Sequence, residues 1–161
     1  MYKIKLLILL LISTFLLSCS KPHMANNIKF DVAYIGGEYD GLVFKNYLIG
    51  HLKSFNLFDS ESTFEIKSNI IHDISIYITN IDNTSDRENI TTTINYVIYD
   101  KVKDCLIYSD DYSVSQFYIY ASSDKYLSNR NAIKKIKNDN TFILVQKLIN
   151  EIIGIEPSCN E

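Results

Sequence analysis

The chain has 161 residues, 47% of them apolar and 22% charged, and a formal net charge of −3. That composition suits a packed globule rather than a disordered segment, and the acidic balance argues against a nucleic-acid binder, which would carry a basic face. Once an N-terminal leader is set aside, roughly 130 residues remain, enough for one domain around one core.

Lys3 and Lys5 precede an apolar run from Leu6 to Leu17, interrupted only by Ser13 and Thr14, and the run ends in Leu16-Leu17-Ser18-Cys19. A cationic start, a short apolar middle and a small residue before a cleavage point form a secretory signal, too short to span a bilayer. A cysteine directly after that small residue is the pattern of a bacterial lipoprotein signal. Residues 1–18 are then expected to be removed, Cys19 to be acylated, and residues 19–27 to form a polar tether in which Pro22 resists helix. Each buried methylene of an acyl chain contributes about 0.8 kcal/mol, so several chains hold the body at a membrane surface. Losing Lys3 and Lys5 takes the net charge from −3 to −5. Similarity to Gram-negative lipoproteins implies delivery to the outer membrane, because Ser20 stands where an aspartate usually signals inner-membrane retention. The alternative is an ordinary secretory leader.

Ile28, Phe30, Val32 and Tyr34 alternate with Lys29, Asp31 and Ala33, the period of a half-buried strand closed by Gly36-Gly37. Asp40 is a candidate N-cap for a helix of about 16 residues with Phe44, Leu48, Leu52 and Phe55 on one stripe. After a turn at 56–62, His72, Ile74, Ile76 and Ile78 share one strand face, with Asp73, Ser75 and Tyr77 opposite. The stretch 80–89 reads as a polar loop. Ile90, Thr92, Ile94, Tyr96 and Ile98 form the next alternating set. A charged turn at 100–104 leads into a strand from Leu106 to Tyr120, dense in tyrosine and β-branched residues.

The last element is helical: Ser122 or Ser123 is its expected cap, and Ile133, Ile136, Leu144, Leu148 and Ile152 lie near one stripe, widened by Ile143, Val145 and Ile149. Gly154 and Pro157 supply stop signals, and Asn138-Asp139-Asn140 are expected to kink or fray it. The predicted fold is α+β: a four-stranded, largely antiparallel sheet with two helices packed on one face, in the order β-α-β-β-β-α. The domain is assigned to residues 28–155 and a C-terminal tail to 156–161.

In such a meander the loop holding Arg87 lies at the same end as the start of the last helix, with Lys125 and Arg130. The turn at 100–104 and the tail lie at the opposite end. Cys105 and Cys159 both fall there, so a disulfide and a pair of free thiols are both open. Arg87, Lys125 and Arg130 read either as a local positive site or as solubilising charges, and Lys134, Lys135 and Lys137 as its extension or as the wet face of a helix. Tyr108, Tyr112, Tyr118, Tyr120 and Tyr126 suit an interface or simply strand propensity. Tyr77, Thr93, Asn95 and Tyr99 fall on the sheet face without helices.

No catalytic constellation is found. His23, His51 and His72 lack a paired ligand spacing, no nucleophile elbow, phosphate loop or dinucleotide fingerprint occurs, and Asp110-Asp111 point to opposite faces of a strand. No metal, cofactor or enzymatic activity is expected.

A lipoprotein signal followed by this element order resembles the lipopolysaccharide-assembly lipoprotein family, LptE. The resemblance covers most of the mature chain and is carried by RENITTTINY at 87–96 and by 118–152, a strand rich in aromatics, a Ser-Ser-Asp-Lys start and a helix ending VQKLINEI. It implies a non-enzymatic subunit that plugs a large outer-membrane β-barrel and contacts the anionic head of lipopolysaccharide. Phosphates there would be met by Arg87, Lys125 and Arg130, and the helix-free sheet face would meet the barrel wall. The runner-up is an auxiliary lipoprotein of another periplasmic lipid-trafficking complex, and a third reading is a lipoprotein binding module of unrelated role.

Overall fold

A computed structural model describes residues 28–78, 85–119, 125–156 and 158–159. The leader, Cys19 and the tether, residues 79–84 of the stretch read as a polar loop, Tyr120, Ser122, Ser123 and Pro157 lie outside the described residues.

Strand β1 (Phe30–Gly36) leads through helix α1 (Glu38–Ser54) to the long strands β2 (Phe64–Ile78), β3 (Ser85–Asp100) and β4 (Cys105–Ile119), and the chain closes with helix α2 (Tyr126–Gly154). The sheet order is β1-β2-β3-β4. β1 pairs parallel with β2, as a strand–helix–strand crossover requires, and the other two pairings are antiparallel. Both helices cover one face and share a core with it, so the α+β architecture is the expected one.

The two helices cover unequal lengths. At 1.5 Å per residue α1 is about 26 Å long and α2 about 44 Å, against about 50 Å for a 15-residue strand. α1 runs back along the sheet from Gly37, where the chain lies against the Ile70 carbonyl, and so covers only the half of the sheet before Ile70. There Phe44, Leu48 and Leu52 interlock with Ile66, Ile70, Ile94, Ile98, Leu144, Leu148 and Ile152, all buried. Phe55 falls at the helix C-cap and is partly exposed.

Several local expectations are corrected. Gly37, not Asp40, is the N-cap of α1. Its φ of 109° is one that glycine alone reaches cheaply, and an added Cβ would sit 2.6 Å from the Ile70 carbonyl oxygen. Asp40 lies inside the first turn and is used elsewhere. β2 begins at Phe64, eight residues before the alternating set from His72, and the segment 85–89 is strand rather than loop. Lys125 holds the N-cap position of α2, without a side-chain cap bond. The helix passes through Asn138-Asp139-Asn140 unbroken, because Asn140 turns inward and bonds to the sheet.

β1's outer edge is closed by residues 57–59: Phe30 N–H donates to the Leu57 carbonyl at 2.7 Å, and Asp59 N–H donates to the Phe30 carbonyl at 3.1 Å. At the same, basal end of the domain Cys105 and Cys159 form a disulfide.

Candidate functional site

The β2–β3–β4 extension beyond Ile70 is covered by α2 alone. A polar layer marks the boundary. Asn140 is fully buried, and its Nδ2 donates to the Ile90 carbonyl and to Thr92 Oγ1, each at 3.1 Å. His72 Nδ1 is hydrogen-bonded with the same Thr92 hydroxyl at 2.7 Å. Its Nε2 faces Asp40 Oδ2 at 3.6 Å, beyond hydrogen-bond reach but close enough for attraction. Asp40 is shared with Lys137 of α2 at 3.4 Å. Burial holds the His72 pKa below its ordinary value, with Asp40 pulling upward and Lys137 downward. The ring is thus a neutral strut between strands and helices rather than a metal ligand. Among the described residues no group of three or more His, Cys, Asp or Glu side chains could hold a metal ion.

Beyond the layer the helix-side face opens. Ile74 and Ile76 are 46% and 61% exposed, although they share the face of buried Ile66 and Ile70, because α1 does not reach them. They form an apolar shelf along β2. Across the sheet, Glu88 of β3 faces Tyr118 of β4 in register, and the Tyr118 hydroxyl donates to Glu88 Oε2. Glu88, Tyr118 and the first turns of α2 (Tyr126, Asn129, Arg130 and Ile133) line a cleft of about 190 Å³. Tyr126 and Leu127 are exposed beside it.

The structure places the three candidate cations as follows. Arg130 lines the cleft, and Lys125 is exposed at the N-cap of α2. Arg87 belongs to β3, paired with Tyr77 and Ile119, so it is a strand residue and not a loop one. Since its neighbour Glu88 lines the helix-side cleft, the pleat sends Arg87 to the other face of the sheet. The three share one end of the domain, on two faces of it. In the basic run, Lys135 is paired with Asp139 at 2.8 Å and Lys137 with Asp40, which ties two of the three lysines to carboxylates of the helical layer.

Among the tyrosines, Tyr108 and Tyr112 stack on buried Tyr96 at 5.9 and 5.8 Å, with Lys147 over the Tyr112 ring, and so belong to the packing. Tyr118 and Tyr126 belong to the cleft. The helix-free face carries hydroxyl pairs, Thr91 with Ser115 at 2.7 Å and Thr93 with Ser113 at 2.8 Å, beside exposed Asn95 and the Lys67–Glu65 ion pair at 2.8 Å. Sequence reasoning missed Glu88 and Asn140. Both had a signal: Glu88 is in phase with Ile90, Thr92 and Ile94, and Asn140 with Leu144, Leu148 and Ile152.

The fold recurs in solved lipoprotein structures. A minor lipoprotein of Acinetobacter baumannii superposes with a TM-score of 0.60 at 12% identity, over 80% of this chain and 92% of that one. Rare lipoprotein B of Shewanella oneidensis gives 0.56 at 8% identity, over 78% and 96%. Lipoprotein B of Nitrosomonas europaea gives 0.59 at 13% identity, over 78% and 83%. No family model matches the chain and no curated protein matches its sequence. At such identities the shared property is the fold.

Proposed function

We propose that this protein is an outer-membrane lipoprotein of the LptE type, a non-enzymatic partner of a large β-barrel that assembles lipopolysaccharide at the cell surface. The observation that carries the reading is the domain's likeness to rare lipoprotein B, nearly the whole of which it covers, on a chain whose leader ends in Leu16-Leu17-Ser18-Cys19. Acylated Cys19 holds the body at the membrane, and the polar helix-free face, with its threonine and serine rows, lies against the polar wall of the barrel.

The far end of the sheet supplies a surface for the lipid. An anionic amphiphile needs cations for its phosphates and apolar area for its acyl chains. Arg130 and Lys125 at the start of α2 meet the first need, with Arg87 at the same tip on the opposite face, and the Ile74–Ile76 shelf meets the second. Reversing charge at all three positions (Arg87→Glu, Lys125→Glu, Arg130→Glu) is expected to abolish capture of purified lipopolysaccharide while leaving the far-ultraviolet dichroism unchanged. Unchanged capture by the folded triple variant would remove the cations from the reading.

A further inference from the structure

After α2 stops at Gly154, the backbone turns extended at Ile155. Among the described residues the tail makes local backbone bonds: Ile155 N–H donates to the Ile152 carbonyl at 3.3 Å, and Ser158 N–H donates to the Glu156 carbonyl at 2.8 Å. Between the tail and β4 lies a cleft of about 470 Å³, with Ile107 and Tyr108 as its sheet wall and Asn150, Glu151, Ile155 and Glu156 among the residues opposite. Ile155 packs against the core. Beyond it the tail crosses the cleft to a covalent anchor, since Cys159 is bonded to Cys105 at the first position of β4, 54 residues away in sequence.

We infer that the Cys105–Cys159 bond is a redox latch: oxidised, it straps the tail across the edge of the core, and reduced, it frees the tail beyond Ile155 while α2 and the rest of the fold stay in place. The chemistry is thiol–disulfide exchange with a dithiol. Two electrons pass from the dithiol to the bond, the sulfur–sulfur bond breaks, each cysteine takes up a proton, and the dithiol leaves as a disulfide. Closing the latch is the reverse, with a protein disulfide of the export compartment as the oxidant. Opening would unroof Ile107, which is buried in the closed form. Ile149 and Ile152 stay buried in the core, and the polar layer of His72, Thr92 and Asn140 holds α2 to the sheet further along by side-chain bonds that do not involve sulfur, so the released segment is confined to the tail. This inference stands apart from the proposed function.

The test is nuclear magnetic resonance on the full chain in detergent micelles, before and after adding dithiothreitol, with the Cys105→Ser/Cys159→Ser double variant as a second reduced state. The latch predicts shifts confined to 105–108 and 150–159, and tail order parameters falling from about 0.85 to below about 0.6, while amides of Ile90–Tyr96 keep their positions. A tail that stays as ordered after reduction would show that its packing holds it. Shifts spreading through Ile90–Tyr96 would show a general fold staple. Either result overturns the latch.

Discussion

Asn140, in the middle of α2, donates through Nδ2 to the backbone carbonyl of Ile90, 3.1 Å away on the central strand β3. The same amide reaches Thr92 Oγ1, and through it His72. One residue thus ties the long helix to two strands at the level where α1 gives out.

Replacing Asn140 by Ala breaks these bonds and leaves Thr92 and His72 with fewer partners in a dry site. The expected cost is about 1–3 kcal/mol, read as a lower urea midpoint with unchanged slope. An unchanged midpoint would mean that Asn140 is carried by the helix rather than holding it.

The neutral state of His72 makes stability depend on pH. Its folded pKa lies below the unfolded value, with burial as the leading cause. Near pH 6.5 and below, the unfolded chain then binds a proton that the folded chain refuses, so stability falls as pH drops through that window. Urea midpoints at pH 8 and pH 5.5 should show the lower value at pH 5.5, and His72→Gln should shrink the difference. Equal differences in the two proteins would remove His72 as its source.

Two glycines should respond in opposite directions. Gly37 sits at φ 109° with the Ile70 carbonyl oxygen 2.6 Å from an added Cβ, so Gly37→Ala is expected to destabilise by about 1–3 kcal/mol. Gly50 lies inside α1 with nothing within 4 Å of an added Cβ, and Gly50→Ala is expected to stabilise by about 0.5–1 kcal/mol. Thermal melts of both variants check the pair.

Acylation at Cys19 is tested by growing expressing cells on radiolabelled palmitate. The wild-type product should carry label and fractionate with the outer membrane, and Cys19→Ala should do neither. Label on the alanine variant would move the anchor elsewhere.

Much of the fold was legible because alternation and helical spacing report which face of an element is apolar. Ile90, Thr92, Ile94, Tyr96 and Ile98 are all buried, as are Phe44, Leu48 and Leu52. Periodicity does not say whether anything covers that face. Ile74 and Ile76 share the apolar face of their strand and yet are exposed, since coverage depends on how far α1 extends along a neighbouring strand. Nor does local propensity see a tertiary partner. Asn138-Asp139-Asn140 is poor helix sequence, yet the bonds Asn140 makes across the layer outweigh about half a kcal/mol of propensity per residue. Polar composition hid the start of β3, where Glu88 is buried against Tyr118, and so misplaced Arg87. The basal meeting of Cys105 and Cys159 followed from strand count alone, and the bond itself needed the structure.

The central claim is that the domain serves a barrel in the outer membrane. Affinity capture of the intact acylated protein from detergent-solubilised membranes tests it most directly. The account predicts co-recovery of a single large β-barrel protein that resists unfolding in cold detergent, in near-equal amount. Capture of an inner-membrane transporter in its place, or of no barrel at all, would contradict it.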